Sequence, residues 1–175
     1  MIKFIEHKSP KYPPRTYENA SADATIAFAF DFNTPGEKLT KDAVISQGKI
    51  YIPVNPLCIL DSEKRRDNAM LFENNVSTIN IAGNGAYTAI KHGYTQGMCD
   101  ERAFLYLESV LPPSVTLIRS GGQSGFDEAG LKAAVELGIP ALCVCPQGWK
   151  FMNEKGETIC DKERFLDRFK GCVIL

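Results

Sequence analysis

Residues 117–140 read LIRSGGQSGFDEAGLKAAVELGIP and predict a strand, a glycine-rich turn and a helix, in that order. From Phe126 the apolar residues recur at helical spacing, and Gly138 and Pro140 end the helix. Backbone N–H groups and the positive end of the helix dipole converge at such a turn, and glycine lets an anion approach them closely. The stretch therefore predicts an anion site, although an ordinary strand-to-helix turn has the same glycine spacing.

The rest of the chain alternates predicted strands with predicted helices. Strands are predicted at 25–30, 49–54, 77–82, 115–118 and 141–145, with an edge strand at 172–175. Helices are predicted at 35–45, 61–75, 96–111, 126–137 and 163–169. This alternation indicates an α/β fold, a Rossmann-like three-layer sandwich with a mainly parallel sheet. We expect one domain over residues 1–175, with residues 1–24 as an extended, proline-containing arm.

Three of the predicted strands are followed by distinctive loops, at residues 34–40, 83–85 and 121–125. In a parallel sheet all three loops open at the carboxyl ends of the strands, where α/β proteins bind their ligands. We therefore expect the three loops to meet at one site.

Composition limits the classes of function. The chain has 175 residues and a net charge of −1, which predicts no broad attraction to nucleic acid or to an anionic membrane. Its longest apolar runs are too short for a membrane span, and the first residues lack the layout of a signal peptide, so we expect a cytoplasmic protein. Six cysteines without a C-x-x-C pair favour reduced thiols, and two histidines argue against a histidine-rich metal centre.

Three segments of the chain resemble the molybdenum carrier family: SGGQSGFD at 120–127, LGIP at 137–140 and CPQG at 145–148. The corresponding patterns of that family are S-G-G-Q-[ST]-G-x-D, L-G-I-P and C-P-x-G. That family belongs to the SLOG superfamily of Rossmann-like nucleotide-binding proteins. Residues 15–40 resemble the other half of the sequence of these family members. In this chain that half precedes the half with the SGGQSG segment, whereas in the family it follows it. The chain therefore resembles a circular permutation, which is physically cheap because the termini of single domains often lie close together. Within residues 15–40, the loop sequence Pro35-Gly36-Glu37 departs from the Gly-Gly-Thr/Ser that the family has there.

The predicted ligand-binding residues come from all three loops and from one arginine. Glycines give the turn its shape, Ser124 and Gln123 add polar groups, and Arg15 is a cationic partner for a phosphate. Thr34 and Glu37 also have the spacing of a helix capping box, which would explain them without any ligand. The full set is Gly121, Gly122, Gln123, Ser124, Gly125, Thr34, Gly36, Thr40, Gly83, Asn84 and Arg15.

Three carboxylates are candidates for catalysis: Asp127, Glu37 and Asp31. Asp127 stands in the first helical turn after the glycines, where the helix dipole stabilises a carboxylate whatever its function. Asp31 ends a buried strand and is placed to bind ribose or magnesium, or simply to cap a loop. Trp149, the sole tryptophan, is a candidate to stack on a base.

Three functions fit these residues. The resemblance favours binding of a phosphorylated small molecule, either a nucleotide or a cofactor like the molybdenum cofactor, with Mg²⁺ as a possible companion. The alternative is hydrolysis of the N-glycosidic bond of a nucleotide, as in some SLOG relatives, although the P-G-G-x-G-T-x-x-E signature of those enzymes is absent from this sequence. A third hypothesis is a nucleotide-sensing scaffold that forms a homo-oligomer, since relatives often dimerise and the helix at 96–111 has an apolar stripe.

Overall fold

In the computed structural model, which describes residues 1–172, a six-stranded sheet carries helices on both of its faces. Its strands are β1 (Ile2–Glu6), β2 (Ala24–Phe28), β3 (Ile50–Val54), β4 (Thr78–Gly83), β5 (Leu117–Ser120) and β6 (Ala141–Cys145). The helices are α1 (Tyr12–Asn19), α2 (Pro35–Ser46), α3 (Asp61–Glu73), α4 (Ala86–Lys91), α5 (Gln96–Val110), α6 (Phe126–Glu136) and α7 (Lys162–Asp167). A separate antiparallel hairpin consists of β7 (Lys150–Met152) and β8 (Thr158–Cys160). The predicted α/β fold class, a Rossmann-like three-layer sandwich, is confirmed.

The six strands of the large sheet are all parallel, in the order β1-β6-β5-β4-β2-β3. Phe28 at the end of β2 lies opposite Val54 of β3 on one side and Gly83 of β4 on the other. The chain adds β3 on one side of β2 and then returns to add β4 on the other side. The strand order thus reverses beside β2, and the carboxyl ends of β2 and β4 form the crevice in which such sheets bind ligands.

The direction of each crossover explains which helices share a face. The connections through α1 and α2 run toward the β3 edge, whereas those through α3, α5 and α6 run toward the β1 edge. Because crossovers between parallel strands are right-handed, the two groups must cover opposite faces. The packing agrees: α1 packs on α2, and α5 packs on both α3 and α6.

The core is densest where β2 meets the helices α5 and α6. All five residues of β2 are buried. Phe28 stacks on Phe126 at the start of α6, with ring centroids 5.0 Å apart, and meets Tyr106 of α5 edge-on. The beginning of α6 is therefore anchored on the strand beside the crevice, so that the glycine-rich turn before α6 has a rigid support.

The prediction of an extended arm over residues 1–24 is wrong. Residues 2–6 are an edge strand of the main sheet, paired with β6, and residues 12–19 are a helix. Pro13 and Pro14 are compatible with this helix because they lie in its first turn, where the backbone N–H has no helical partner to lose.

The structure differs from the predictions in two further places: helix α4 (Ala86–Lys91) lies where no element was predicted, and a hairpin follows β6. Residues 146–150 contain a short 3-10 turn, Gln147–Trp149, which leads into the hairpin of β7 and β8. This hairpin was not predicted from the sequence. The predicted edge strand at 172–175 falls almost entirely on residues 173–175, outside the described part of the chain. Within residues 1–172, none of the helices combines the length and apolar character that a bilayer crossing requires.

Candidate functional site

A cavity of about 460 Å³ opens at the carboxyl ends of the strands, beside the point where the strand order reverses. We call it the ligand cavity. It is lined by the loops after β1, β2, β4, β5 and β6 and by the hairpin of β7 and β8. Of the predicted site residues, those that line it are Arg15, Thr34, Gly36, Glu37, Gly83, Asn84, Gln123, Ser124 and Asp127. The three loops predicted to meet at one edge therefore do meet there.

Three side chains, Glu37, Asn84 and Asp127, form the buried end of this cavity, which we call the acidic floor. Glu37 lies in the first turn of α2 and Asp127 lies in the first turn of α6. The first turns of these two helices thus bring the two carboxyls together. Asn84 is buried and connects the loops: its Nδ2 donates to Glu37 Oε1 at 3.1 Å, and its Oδ1 accepts from the N–H of Phe30 at 2.8 Å.

The two carboxyls of the acidic floor have strongly raised pKa values. Burial, and then the negative charge of Asp127, raise the pKa of Glu37 to about 8, against the lowering effect of the hydrogen bond from Asn84. Burial also raises the pKa of Asp127 to about 6, although the guanidinium of Arg15 and the N–H groups of Gln123 and Gly83 lower it. Near neutral pH the floor therefore contains one protonated carboxylic acid and one ionised carboxylate.

The first loop keeps only half of the predicted capping box. Thr34 Oγ1 accepts from the N–H of Glu37 at 3.3 Å, so Thr34 is the N-cap as predicted. The Glu37 carboxyl instead bonds with Asn84. A glutamate that would otherwise close the cap is thereby turned toward the ligand cavity.

Arg15 is a buried structural cation as well as a wall of the cavity. Its Nη1 donates to the carbonyl of Gly121 at 2.6 Å, and its guanidinium lies 5.2 Å from the centre of the Tyr12 ring. Arg15 and Asp127 both press against Gly121, where a β-carbon would overlap them. Arg15 lies on α1 with only 4% of its surface exposed.

Two N–H groups at the junction of the glycine-rich turn and α6 already have protein acceptors. The N–H of Gly125 donates to Gln96 Oε1 at 2.6 Å, and that of Phe126 donates to the carbonyl of Asn84 at 3.3 Å. Gly122 lies away from the ligand cavity, because a β-carbon there would meet Cys143 Sγ and the Phe165 ring. As the structure has it, an anion cup over the whole of residues 121–125 is wrong: Gly122 and Gly125 serve packing and internal hydrogen bonding.

Four other candidates also lie outside the ligand cavity. Asp31 is exposed, and its Oδ1 accepts from the N–H of Asn33 at 2.8 Å, so it caps the loop after β2. Thr40 and Gly121 line a smaller cavity beneath the acidic floor. Trp149 packs edge-on against Phe165, and the Lys162 ammonium lies over its ring, so it is not in position to stack on a ligand in the ligand cavity.

The outer part of the ligand cavity is cationic and aromatic. Lys11 and Lys150 are exposed lining residues, and we call this part the rim. The hairpin covers one side of the cavity through Ser124, whose hydroxyl donates to the carbonyl of Met152, and Gln123, whose Nε2 donates to the carbonyl of Lys150 at 2.9 Å. The hydroxyl of Tyr12 has a raised pKa because of burial and the nearby charge of Asp127.

Sequence reasoning missed several residues of the site. Lys11, Tyr12 and Lys150 were not singled out, since the first two lay in a supposed arm and the third in a supposed loop. The Y-P-P sequence at 12–14 is compatible with a helix start, because proline suits the first helical turn, and this signal could have revealed α1. No local signal points to Gln96, because its partner Gly125 lies on another element.

The site has the composition of a small-molecule site. Its volume lies within the range of about 300–1,000 Å³ typical of such sites, and it combines aromatic walls with a few convergent polar groups. Among residues 1–172, no three His, Cys, Asp or Glu side chains come together as they would around a metal ion. Compared with protein-family models and with curated proteins, the chain matches none of either.

Proposed function

We propose that the ligand cavity binds a nucleotide or a nucleotide-like phosphorylated molecule. The observation that carries this proposal is the separation of charge within one cavity: Lys11 and Lys150 are exposed at the rim, whereas Glu37 and Asn84 are buried and Asp127 is half-buried at the floor. A phosphorylated sugar has the complementary polarity, since it is anionic at one end and rich in hydroxyl donors at the other.

This polarity fixes the orientation of the ligand. Its phosphate lies toward Lys11 and Lys150, where ammonium groups supply the donors that the occupied N–H groups of Gly125 and Phe126 do not. Its hydroxyl groups point to the acidic floor, whose carboxyls accept hydrogen bonds. The resemblance to the SLOG nucleotide-binding proteins supports the same class of ligand, while the molybdenum cofactor remains a second phosphorylated candidate.

Charge reversal at the rim tests the proposal. The double variant Lys11→Glu, Lys150→Glu should weaken binding of AMP by at least about tenfold in isothermal titration calorimetry, because two favourable charge interactions become repulsive. The control is Lys41→Glu, an exposed position on α2 outside the cavity lining, which should bind AMP like the wild type. Native mass spectrometry of freshly purified protein would identify any nucleotide or pterin that co-purifies. Equal AMP affinity in the double variant and the wild type would contradict the proposed orientation.

A second candidate function, hydrolysis of the N-glycosidic bond of the bound nucleotide, is favoured by the unequal carboxyls of the acidic floor. Glu37, with a pKa of about 8, is protonated at neutral pH and can donate a proton to the leaving base. Asp127, with a pKa of about 6, is ionised and can stabilise the positive charge that develops on the sugar and accept a proton from water.

The proposed reaction consumes only the nucleotide and one water molecule. The bond between the sugar C1′ and the base nitrogen breaks, and the nitrogen takes the proton of Glu37. The oxygen of a water molecule bonds to C1′ and its proton passes to Asp127. The products are the free base and the sugar phosphate, and exchange with solvent restores both carboxyls.

Release of adenine from AMP or from the adenosine half of NAD, measured by chromatography, tests the hydrolysis. The rate should be highest between about pH 6 and pH 8, falling at lower pH as Asp127 is protonated and at higher pH as Glu37 loses its proton. Glu37→Gln and Asp127→Asn should each lower the rate by at least about 100-fold. If neither substrate releases base, hydrolysis is excluded for both, while AMP binding still tests the first proposal separately.

A further inference from the structure

A second, much smaller cavity of about 30 Å³ lies directly beneath the acidic floor. We call it the small cavity. Glu37, Asp127, Tyr12, Arg15 and Gly83 line both this cavity and the ligand cavity, so the two cavities adjoin at these residues. The remaining lining is polar in large part, including Asn19 of α1 and Thr40 of α2.

Two buried oxygen atoms of this lining lack a donor. Within residues 1–172, neither Asn19 Oδ1 nor Glu37 Oε2 takes part in a hydrogen bond, and both atoms are shielded from solvent. Asn19 and Glu37 are 6% and 5% exposed. Buried polar atoms are nearly always hydrogen-bonded, to protein or to ordered water, so two such atoms around one cavity point to a bound molecule.

The size and chemistry of the small cavity select the molecule. Its volume suits one water molecule and excludes a nucleotide. Glu37 Oε1 already accepts from Asn84, so the proton of the neutral acid belongs on Oε2, and the side chains of Glu37 and Asn19 both line the small cavity. Water fits both states of Glu37: it donates to both oxygens when Glu37 is ionised, and it accepts from Glu37 and donates to Asn19 when Glu37 is protonated. A metal ion or an ammonium ion cannot accept that proton, and the guanidinium of Arg15 disfavours a second cation.

We propose that the small cavity is a site for one structural water molecule that bridges Asn19 Oδ1 and Glu37 Oε2 and holds the Glu37 carboxyl in place in both of its protonation states. Asn19 is then a positioning residue for Glu37. The bridge itself does not depend on any ligand, whereas its value to catalysis rests on the proposed hydrolysis.

The consequence is measurable as a change in the pKa of Glu37. The groups that face Glu37 are Asp127 of α6, Tyr12 and Arg15 of α1, and Tyr51 of β3, whose own pKa the charge of Glu37 raises. Removing the water takes a charge-assisted hydrogen bond from the ionised carboxyl and only a weaker one from the neutral acid, so the pKa of Glu37 should rise further.

The experiment follows the Glu37 carboxyl by ¹³C NMR during a pH titration of the ligand-free protein. Asn19→Leu fills the cavity and removes the acceptor, and it should raise the pKa of Glu37 by about one unit. Asn19→Ala leaves room for water beside Glu37, and it should raise the pKa by less than half of that amount. Thr16→Val is the control, since the Thr16 hydroxyl lines the same cavity but donates to the carbonyl of Tyr12; it should leave the titration unchanged.

An unchanged pKa in Asn19→Leu, or equal shifts in the leucine and alanine variants, would overturn the water site. If Asn19→Leu does not fold, a high-resolution crystal structure of the wild type decides instead. It should contain one water within about 3 Å of both Asn19 Oδ1 and Glu37 Oε2, and a direct bond between these two side chains would overturn the proposal. Since no ligand is added, failure here is distinct from failure of AMP to bind or to be hydrolysed.

Discussion

The glycine-rich turn at residues 121–125 and the acidic floor differ in how their polar groups are used. In the turn, the N–H of Gly125 has an acceptor within the protein, and Gly122 packs against Cys143 and Phe165. In the acidic floor, Glu37 is buried with one carboxyl oxygen without a partner among residues 1–172. The turn uses the N–H of Gly125 for folding, whereas the Glu37 carboxyl of the floor keeps one oxygen without a protein partner among residues 1–172. Glycine spacing alone does not distinguish these two uses.

The largest effect should come from Gly122→Ala, which tests the packing role of the turn. A β-carbon at this position would overlap Cys143 Sγ and the Phe165 ring, so we expect the free energy of unfolding to fall by about 3–5 kcal/mol. Chemical denaturation measures the change. The matched control is Gly138→Ala: its φ of 70° equals the 69° of Gly122 within a degree, but open space surrounds it.

Gly138→Ala should cost only the backbone strain of a left-handed residue, about 1 kcal/mol. The difference between the two variants isolates packing from strain. Equal losses would show that Gly122 is required only for its backbone conformation, and the contrast between the turn and the acidic floor would then weaken.

Glu37→Gln should have the next largest effect, and its sign depends on pH. The folded-state pKa of about 8 lies above the usual value of 4.5, so ionising Glu37 destabilises the fold. The penalty is absent below about pH 4.5, grows as the pH rises and is complete above about pH 8. The variant should therefore be more stable than the wild type by roughly 2–4 kcal/mol at pH 8.5 and about equal to it at pH 4.

Denaturation curves of both proteins at the two pH values measure this difference. Asp42→Asn, an exposed position on the same helix, is the control and should leave the pH dependence unchanged. A constant stability difference across this pH range would show that the pKa of Glu37 is not raised.

Gln96→Ala should have an intermediate effect, because Gln96 supplies the acceptor for the N–H of Gly125. We expect a loss of about 1–2 kcal/mol in the free energy of unfolding, as for removal of a helix N-cap. Gln123→Ala loses a more exposed bond to the carbonyl of Lys150 and should cost about 0.5 kcal/mol. If removing Gln96 cost no more than removing Gln123, the Gly125 N–H would be free for a ligand after all.

Asp31→Ala should have the smallest effect. The Asp31 carboxylate accepts one hydrogen bond, from the exposed N–H of Asn33, so its loss should change the free energy of unfolding by about 0.5 kcal/mol or less. AMP affinity should also stay the same. A large loss of AMP affinity in this variant would return Asp31 to the site and extend the acidic floor beyond Glu37 and Asp127.

The sequence was sufficient to predict strands β2 to β6, but it did not predict the edge strand β1. Strand β2 is buried on both faces and therefore has a continuous apolar sequence that is easily recognised. Strand β1 is an edge strand in which only Ile2 is fully buried, so it has no comparable pattern. The helix after it was hidden by Pro13 and Pro14, which are typical of loops but also occupy first helical turns.

The candidate site was predictable in its location and not in its chemistry. The carboxyl ends of parallel strands must meet, so the loops at 34–40, 83–85 and 121–125 converge whatever else the chain does. Which side chains they present depends on partners from elsewhere. Glu37 was predicted from its spacing to close a helix cap, and the amide of Asn84 bonds with it instead.

The sequence by itself determined the alternation of the central strands and helices, because each depends on the period of apolar residues within a short segment and on local turn residues. Only the tertiary structure decided that Gln96 occupies the N–H of Gly125 and that Glu37 and Asp127 share one buried floor. Hydrogen bonding and desolvation depend on distances in space between residues far apart in the chain, and no local pattern contains those distances.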